Sequence, residues 1–488
     1  MDLSNTPNHQ RHTQRLTEAE AVPDANLRPA LDRLRAAYVA NRMPSVDWRR
    51  QQLSRLEAML RDNIDEICVA IAADFGHRSH HETQLLELFP AIAAIKHARR
   101  HVSGWMKPRR SWASMWFLPA RNEIRPQPLG VVGIIVPWNY PILLAVAPLV
   151  GALAAGNRAF IKMSEFTPRT GALFAKLIET YFSNDEVLVV NGGAEVARAF
   201  SMLPFDHLLF TGSTAIGKLV MQAAAEHLTP VTLELGGKSP AVIGPDADIT
   251  SAVSRIMFGK CLNAGQTCIA PDYVLVPRGK EVEFIDAARR FVSTHYPTIA
   301  ANADYTSLVS QRHLSRLHGY LDEARAAGAT VYPLNGAGES LDGTQKLAPT
   351  IVTGACDDCR LLQEEIFGPI LPLIPYDGLD SAIGYINARP RPLALYYFGH
   401  DRRQIDQVLD ETVTGGVSIN ETLLHISQED LPFGGVGPSG MGAYHGKVGF
   451  DTFSKSKPIF HQSRFNGLAM FQPPFGQRFE ALIRFLLK

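Results

Sequence analysis

Cys268 is the residue with the clearest chemical potential, because it ends the loop sequence NAGQTC at residues 263–268. A thiol on a glycine-containing loop that follows a helical pattern can be reached by a substrate. Its thiolate is a strong nucleophile towards a carbonyl carbon. Taken alone, a buried structural cysteine is the commoner case, and Cys261, inside the helical pattern, fits that description. Cys268 is therefore a candidate nucleophile that needs chemical partners.

Glu234 is a candidate partner, because it ends an apolar strand pattern and precedes Gly236 and Gly237. Open α/β sheets bind their ligands at the carboxyl ends of the strands, and paired glycines let the backbone approach closely. A carboxylate there can be a general base for the thiol or for a hydrolytic water. The alternative is an ordinary surface glutamate at a strand end.

Two further elements could handle negative charge. Asn139 lies in PWNYP directly after a buried strand pattern, where its amide could hydrogen-bond an oxyanion or simply form a turn. Residues 210–217, FTGSTAIG, follow a strand–turn–helix pattern whose N–H groups suit a pyrophosphate. Leu219 stands where a P-loop needs Ser or Thr, so the pattern excludes an ATPase of that type.

The elements that must position these residues alternate from Val131 onward between short apolar runs and helical patterns. This alternation is typical of a parallel sheet covered on both faces, and the five strands up to Glu234 predict a Rossmann-like dinucleotide domain. The alternation restarts after Gly237 and predicts a second α/β domain. Residues 27–107 have apolar positions at helical spacing and predict helices.

Together these elements resemble the aldehyde dehydrogenase superfamily. Seven motifs between residues 128 and 453 carry the resemblance: PWNYP, KMSE at 162–165, FTGSTAIG, ELGGK, NAGQTC, EEIFGP at 364–369 and PFGGVGPSGMG at 432–442. Chance agreement across seven motifs is negligible. The resemblance implies an α/β aldehyde dehydrogenase-like fold, with a Rossmann-like NAD domain, an α/β catalytic domain and a small oligomerisation arm.

The resemblance also implies the domain limits. They are a polar leader over residues 1–26, an NAD-binding domain over 27–107 and 130–236, a catalytic domain over 237–425, oligomerisation or bridging segments over 108–129 and 426–460, and a C-terminal tail over 461–488.

Three catalytic roles follow from the matched motifs. Cys268 corresponds to the nucleophile, Glu234 to the general base, and Asn139 with the backbone N–H of Cys268 to the oxyanion hole. The implied reaction passes through a thiohemiacetal on Cys268, hydride transfer to the nicotinamide and a thioester, which water activated by Glu234 hydrolyses. This chemistry implies no metal.

Eight cofactor residues follow in the same way. The adenosine ribose is held by Lys162 and Glu165, the pyrophosphate turn is formed by Gly212, Ser213 and Gly217, a backbone carbonyl facing the nicotinamide comes from Leu235, and the nicotinamide ribose is held by Glu365 and Phe367. Met163 replaces the usual proline of KPSE. Glu165 should repel a 2′-phosphate, which favours NAD, although class 3 relatives tolerate NADP.

The branch within the family is indicated by longer runs. PFGGVGPSGMGAYHGK is similar to the class 3 branch, whose members are usually homodimers. DFGHRS at residues 74–79, KHARRHVSGWMKP and KPIFHQSRFNGL are similar to the bacterial coniferyl-aldehyde dehydrogenase branch. The implied substrate is an aromatic, cinnamaldehyde-type aldehyde, which in the case of coniferaldehyde becomes ferulate.

Composition excludes several other classes. The chain has 48 Lys and Arg against 48 Asp and Glu, so no global field recruits nucleic acid. The uncharged stretch 126–157 is interrupted by prolines and divides into a strand, a loop and a helix, so we predict no integral membrane segment. Five cysteines without a secretion signal predict reduced thiols and a cytoplasmic location. The Cys356-x-x-Cys359 spacing lacks the second pair that a zinc site needs.

Some alternatives stay open. Within the family, the rivals are a class 3 enzyme for medium or long aliphatic aldehydes and a CoA-acylating variant, although Glu234 argues against the latter. A structural protein could also retain this fold. The segment RFEALIRFLLK predicts an amphipathic helix, which could pack on the protein, on a partner subunit or on a membrane surface. His77, His80, His81 and Glu82 are interpreted as a surface cluster rather than a metal site.

Overall fold

The computed structural model describes residues 26–467 and 471–487. The leader predicted for residues 1–26 therefore lies, apart from Asn26, outside the described residues. The α-helices of the described part are Leu27–Ala40, Val46–Asp62, Ile64–Asp74, His80–Thr83, Phe89–Trp105, Leu143–Ala155, Pro168–Tyr181, Ala194–Ser201, Thr214–Ala225, Ile249–Cys261, Glu281–His295, Gln311–Ala326, Arg360–Gln363, Leu379–Asn387, Arg402–Glu411, Gly446–Thr452 and Gln477–Leu486. A π-helical turn covers Gln84–Leu88, and 3-10 turns cover Met115–Phe117, Leu262–Gly265 and Leu424–Ser427.

The strands of the described residues form three sheets. In chain order they are β1 Arg109–Ser111, β2 Arg121–Pro128, β3 Val131–Ile135, β4 Arg158–Lys162, β5 Val187–Val190, β6 His207–Gly212, β7 Val231–Leu235, β8 Pro240–Ile243, β9 Tyr273–Pro277, β10 Thr330–Pro333, β11 Thr350–Thr353, β12 Ile370–Tyr376, β13 Ala394–Phe398, β14 Gly416–Ile419, β15 Gly440–Met441 and β16 Ser454–His461.

The first sheet has the order β15-β7-β6-β3-β4-β5. Its strands are parallel except β15, which pairs antiparallel with β7. Taken from the β5 edge, the order β5-β4-β3-β6-β7 is that of a doubly wound dinucleotide fold. In that fold the strand order reverses between the strands that come first and fourth along the chain. Those two strands are β3 and β6, so a ligand crevice is expected at their carboxyl ends. The Rossmann-like prediction is confirmed.

Alternate residues of β3 enter different cores, which is why the whole strand is apolar. Val132 and Ile134 pack in one core with Leu149, from the helix Leu143–Ala155. Val131 packs in another with Leu31, from the helix Leu27–Ala40. Burial on both faces makes a strand a continuous apolar run instead of an alternating one.

The second sheet has the order β10-β11-β12-β9-β8-β13-β14 and is parallel except for β10. Every residue of β13 is buried. The loop that carries Cys268 connects the helix Ile249–Cys261 to β9 of this sheet.

The third sheet is the antiparallel ribbon β1-β2-β16. Most of its side chains are exposed or half-buried. Trp112, beside it, is 96% exposed. The predicted amphipathic helix is present as Gln477–Leu486, and Phe485 contacts the ring of Trp116 at 6.1 Å between centroids.

Within residues 26–467 and 471–487, no helix is long and apolar enough to cross a membrane. The uncharged stretch 126–157 consists of the end of β2, strand β3, a turn and the helix Leu143–Ala155, as predicted.

The expectation of reduced cysteines is wrong for one pair. Cys356 and Cys359 form a disulfide, while Cys68, Cys261 and Cys268 are free. The chain makes a tight turn here, in which the N–H of Cys359 donates to the carbonyl of Cys356 at 3.1 Å. The turn brings the two Cα atoms to 5.4 Å, a separation that a disulfide can span.

Candidate active site

Ten of the eleven residues predicted for the site line one cavity of about 480 Å³ at the carboxyl ends of β3, β6 and β7. They are Asn139, Lys162, Glu165, Gly212, Ser213, Glu234, Leu235, Cys268, Glu365 and Phe367. Gly217 does not line it. Gly217 lies in the helix Thr214–Ala225, and a Cβ at this position would meet the side chain of Leu235 at 2.6 Å. Because glycine has no side chain, the helix can pack closely against strand β7.

The loop before Cys268 has an unusual backbone. Asn263 and Ala264 have φ of 50°, and Gly265 has φ of 74°. Non-glycine residues in this region cost about 1–2 kcal/mol each, so the surroundings must hold them. A Cβ at Gly265 would meet the carbonyl oxygen of Gly368 at 2.4 Å. The EEIFGP segment is thus packed directly against the NAGQTC loop.

Hydrogen bonds from distant segments hold this loop. The N–H of Asn263 donates to Glu82 at 3.1 Å, and its amide donates to the carbonyl of Asn139 at 3.1 Å. The Gln266 amide donates to the carbonyls of Asn263 and Ser307, at 2.9 and 3.0 Å. These bonds determine the conformation that precedes Cys268.

Asn139 is buried, and its Nδ2 donates to the carbonyl of Gln266 at 3.2 Å. That bond uses one of its two amide hydrogens and places the amide beside the Cys268 loop. Beneath Asn139 lies a buried ion pair between Arg78 and Glu87. Neither member was singled out from the sequence, although Arg78 belongs to the DFGHRS run.

Glu234 lies in β7, opposite Thr211 of β6 and Gly440 of β15. It is only 3% exposed, and neither carboxylate oxygen has a hydrogen-bond partner among the described residues. Burial raises its pKa well above the usual value. A surface glutamate, the alternative considered from the sequence, is therefore excluded, and the group is suited to accept a proton.

Cys268 is half-buried and free. Burial raises the pKa of its thiol, and the nearby carboxylates of Glu365 and Glu234 raise it further, while the N–H groups of Cys268 and Ile269 act in the opposite direction. The thiol therefore needs a base to become a thiolate. Glu234 lines the same cavity and has a raised pKa, so it can take that proton.

The other end of the cavity combines a helix start with an ion pair. Ser213 caps the helix Thr214–Ala225 by accepting the N–H of Ile216. Lys162 Nζ lies 3.3 Å from Glu165 Oε2, with Lys162 buried and Glu165 41% exposed. A helix start binds anions and an exposed carboxylate accepts hydroxyl hydrogens, so this end can hold the phosphates and a ribose of a dinucleotide.

Glu365 and Phe367 lie on a loop that Arg316 holds by hydrogen bonds. Arg316 donates to the carbonyl of Glu365 at 3.2 Å and to that of Ile366 at 2.7 Å. Phe367 has φ of 50°, and its ring lies 5.3 Å from that of Trp138. Burial raises the pKa of Glu365 to about 8, and the charge of Asp272 adds to the shift.

Sequence analysis missed two residues that line this cavity from one helix. His313 and Arg316 line it from the helix Gln311–Ala326. The His313 ring contacts those of Trp138 and Phe166, at 5.0 and 5.8 Å between centroids. Their three-residue spacing places both on one helix face, but nothing in that local pattern indicates what the face contacts.

A second cavity, of about 300 Å³, lies on the other side of Cys268. Its walls are mostly leucine, isoleucine, alanine and aromatic side chains. Among the residues that the structure describes, Cys268 alone lines both cavities. A molecule in the apolar cavity and another in the polar one would therefore meet at this thiol.

The histidine-rich segment is only partly a surface cluster. His80 and His81 are exposed, but Glu82 is buried, where it accepts hydrogen bonds from Asn263 and Thr306. The interpretation of Glu82 as a surface residue is therefore wrong. In the described part of the chain, no group of three or more His, Cys, Asp or Glu side chains could hold a metal ion.

The fold and this arrangement define a known class. A family model described as "Aldehyde dehydrogenase family" matches residues 5–459, and the chain belongs to that family. It is an enzyme of the aldehyde dehydrogenase type.

Individual proteins of this family are similar to the chain over most of its length. The chain is 52% identical over 451 residues to a Pseudomonas aeruginosa protein named "Probable coniferyl aldehyde dehydrogenase", covering 92% of this chain and 94% of that one. It is 48% identical over 462 residues to the "Coniferyl aldehyde dehydrogenase" of a Pseudomonas species, covering 94% and 95%.

Solved structures of other proteins have the same fold as this chain. The substrate-bound AldH of Staphylococcus aureus has a TM-score of 0.88 and 37% identity, covering 94% of this chain and 99% of that one. A Mycobacterium tuberculosis aldehyde dehydrogenase complexed with NAD+ has a TM-score of 0.81 and 29% identity, covering 90% of each chain.

Proposed function

We propose that this enzyme oxidises an aromatic aldehyde to the carboxylic acid through covalent catalysis at Cys268. The observation that carries the proposal is the position of Cys268 in the wall between the two cavities. A carbonyl carbon in the apolar cavity would lie next to the thiol, and a hydride acceptor would fit in the polar cavity. Family membership supports this general reaction.

The chain's own groups would act in sequence. Glu234 takes the proton of the Cys268 thiol, and the sulfur then forms a bond to the carbonyl carbon. The carbonyl oxygen becomes negatively charged and accepts hydrogen bonds from the Asn139 amide and the N–H of Cys268. Once the carbon has been oxidised, a thioester remains on Cys268. Glu234 passes the thiol proton to solvent and then takes a proton from water, which attacks the thioester and releases the acid and the Cys268 thiolate.

The residues of the polar cavity fit a nicotinamide dinucleotide. The N-terminal end of the helix Thr214–Ala225 suits the pyrophosphate, and the exposed carboxylate of Glu165 suits a ribose. When bound, the nicotinamide supplies the acceptor for the hydride that leaves the substrate carbon. We propose NAD as the preferred cofactor, because Glu165 would repel the 2′-phosphate of NADP.

The substrate class follows from the apolar cavity and from the relatives. Phe89 and Phe258 are among its aromatic walls, which suit a flat conjugated ring. Relatives at 48–52% identity are named as coniferyl aldehyde dehydrogenases. We propose a cinnamaldehyde-type aldehyde, with coniferaldehyde as the leading case and ferulate as its product. Medium or long aliphatic aldehydes are the alternative, because the walls are predominantly apolar.

A panel of aldehydes tests this proposal. Release of NADH or NADPH would be followed with coniferaldehyde, cinnamaldehyde, hexanal and decanal. We expect the highest kcat/KM with the aromatic pair; a preference for decanal would contradict it. Cys268→Ser should abolish reduction of the cofactor, whereas Cys261→Ser, at a buried thiol outside both cavities, should retain it. Turnover by Cys268→Ser would refute covalent catalysis at this thiol.

We also propose a homodimer in the cytoplasm. Exposed aromatic side chains on and beside the β1-β2-β16 ribbon, Trp112 and Phe460 among them, support subunit association. Light scattering should give twice the chain mass, and Trp112→Ser with Phe460→Ser should lower it. The reaction requires Cys268 as a free thiol, which is its state in this structure. Fractionation of cells expressing the full chain and one lacking residues 465–488 would also reveal membrane-surface attachment.

A further inference from the structure

The apolar cavity contains one carboxylate, and no step of the proposed reaction uses it. Among the described residues that line this cavity, Glu429 is the single Asp, Glu, Lys or Arg side chain. Its neighbours in the wall include Leu424, Ile426 and Tyr444. A charged group in such surroundings loses solvation, so it needs a compensating contact.

The contacts within the chain compensate this carboxylate only partly. Glu429 is half-buried, and within the described residues it has no ion pair. Burial raises its pKa to about 7, and one N–H, that of Gly446, opposes the shift. Glu87 shows what a structural carboxylate has here: a guanidinium at 2.9 Å and two backbone N–H donors. Glu429 therefore retains capacity to accept a hydrogen bond.

The position of Glu429 relative to Cys268 indicates where a ligand would reach it. Cys268 stands where the apolar cavity meets the cofactor cavity, whereas Glu429 also borders a smaller cavity towards Trp105 and Gly449. Tyr444 lines the same cavity; burial raises its pKa, and the charges of Glu234, Cys268 and Glu429 add to that shift. Cys268 and Glu429 therefore both line the volume that a bound aldehyde would occupy.

A second polar atom points to the same place. His445, next to Gly446, lines the cavity, and its Nδ1 is buried without a hydrogen-bond partner among the described residues. Burial lowers its pKa to about 4, with a contribution from His425, so the imidazole is neutral. Its φ of 98° is a strained conformation for a residue with a side chain. The turn at residues 445–446 thus lies in the cavity wall, and the N–H of Gly446 favours the charged form of Glu429.

These features fit a substrate with a hydroxyl group at the end opposite its aldehyde. A 4-hydroxylated cinnamaldehyde is rigid and planar, so its carbonyl and its phenol cannot approach the same residue. The phenolic O–H is a donor that would lose its bond to water in an apolar cavity. Glu429 can replace that bond.

We propose that Glu429 is a specificity-determining residue that accepts a hydrogen bond from the 4-hydroxyl of an aryl aldehyde bound with its carbonyl at Cys268. This inference rests on the proposed function and makes it more specific. It names 4-hydroxyaryl aldehydes as the preferred substrates over unsubstituted aryl aldehydes, because only the former satisfy the carboxylate.

Three aldehydes separate this contact from general packing. Coniferaldehyde has the 4-hydroxyl, 4-methoxycinnamaldehyde replaces it with an ether that cannot donate, and cinnamaldehyde lacks the substituent. In Glu429→Leu we expect kcat/KM for coniferaldehyde to fall by about 10- to 100-fold, since loss of a hydrogen bond to a charged group has that size. The values for the other two aldehydes should change by about twofold or less. Glu429→Gln, which keeps one acceptor oxygen, should show a smaller selective loss.

The controls make each result interpretable. Asp430→Asn alters the next carboxylate, which lies 3.6 Å from His97 and outside the apolar cavity, and should leave the three-aldehyde pattern unchanged. Turnover of cinnamaldehyde by each Glu429 variant reports that it has folded. If Glu429→Leu does not fold, the comparison is made with Glu429→Gln alone.

An equal loss on all three aldehydes, or no loss, would overturn the inference while leaving aromatic aldehyde oxidation intact. Failure of the wild-type enzyme to oxidise any of the three would overturn both, and activity on hexanal or decanal would then identify the aliphatic alternative.

Discussion

Arg78 and Glu87 form an ion pair, 2.9 Å from Nη1 to Oε1, in which both side chains are completely buried. The same Nη1 donates to the carbonyl of Asn139 at 3.0 Å. The other carboxylate oxygen of Glu87 accepts the N–H of Ile142 at 2.7 Å and that of Leu143 at 3.2 Å. One ion pair therefore holds both ends of the turn that presents the Asn139 amide.

Breaking this pair should destabilise the protein and slow the reaction. In Glu87→Gln the Arg78 guanidinium stays buried without its counter-charge, which costs about 3–5 kcal/mol in comparable buried pairs. We expect a clearly lower melting temperature and, in the folded fraction, a kcat reduced by about tenfold, because the Asn139 amide proposed to hold the oxyanion is displaced. Thermal melting and steady-state kinetics measure the two effects.

The exposed pair Arg28–Asp32 provides the control, since both of its side chains are more than half exposed. Asp32→Asn should cost about 0–1 kcal/mol. A Glu87→Gln variant as stable and as active as Asp32→Asn would show that the buried pair does not position the turn.

Glu234 should make both activity and stability depend on pH. Its folded pKa is raised by burial, so the neutral carboxyl stabilises the fold fully below the unfolded pKa, and that stabilisation is lost as pH rises through the folded pKa. Glu234→Gln carries no such charge. We expect its melting temperature to rise relative to wild type as pH increases, while its rate falls by about 10²- to 10⁴-fold.

Melting curves and initial rates between pH 5 and 9 test this dependence, with exposed Glu226→Gln as the control. Parallel melting temperatures for wild type and Glu234→Gln over that range would mean that Glu234 is not a buried titrating group.

Glu165 should set the preference between the two nicotinamide cofactors. Its carboxylate is 41% exposed and pairs with buried Lys162 at 3.3 Å, so it adds negative charge where a 2′-phosphate would bind. In Glu165→Gln we expect kcat/KM with NADP to rise by about tenfold relative to that with NAD, because the repulsion is removed and Lys162 is left to attract the phosphate. Kinetics with both cofactors at low ionic strength measure the ratio, and an unchanged ratio would contradict this role of Glu165.

The sequence predicted the parts of the site that local pattern controls. The buried strands around Val131 and Glu234 were recognisable because burial on both faces makes them continuous apolar runs. Asn139 and Cys268 could be selected because each lies in a motif at the end of a regular element. Their joint role in one site followed from the resemblance of these motifs to the aldehyde dehydrogenase family, and both residues line one cavity at the carboxyl ends of the strands.

The contacts that support the site could not be predicted from the sequence, because they join segments that are far apart along the chain. Arg78 contacts Asn139 across 61 positions, and Arg316 contacts Glu365 across 49. Without the fold, a charged residue in a helical pattern is interpreted as solvent-exposed, and Glu82 was interpreted in this way. The identity of a buried partner depends on packing, not on spacing.

The disulfide between Cys356 and Cys359 leads to a prediction about the cofactor site. Cys356 is exposed and Cys359 is buried. Cys359 directly precedes the short helix Arg360–Gln363. This helix is followed by Glu364 and Glu365, which line the polar cavity proposed to hold the cofactor. Reduction should therefore loosen the segment that holds Glu365.

Closing a loop this short contributes about 2 kcal/mol on the chain-entropy estimate, so the double variant Cys356→Ser/Cys359→Ser should still fold, with a slightly lower melting temperature. We expect its KM for NAD to rise a few-fold while kcat at saturating NAD stays close to wild type.

Thiol titration of the unfolded protein should give three free thiols before reduction and five afterwards. Five thiols in protein purified without reductant would show that the disulfide does not form. Cys68→Ser, at a buried free cysteine outside the cofactor cavity, is the matched control and should leave the KM for NAD unchanged.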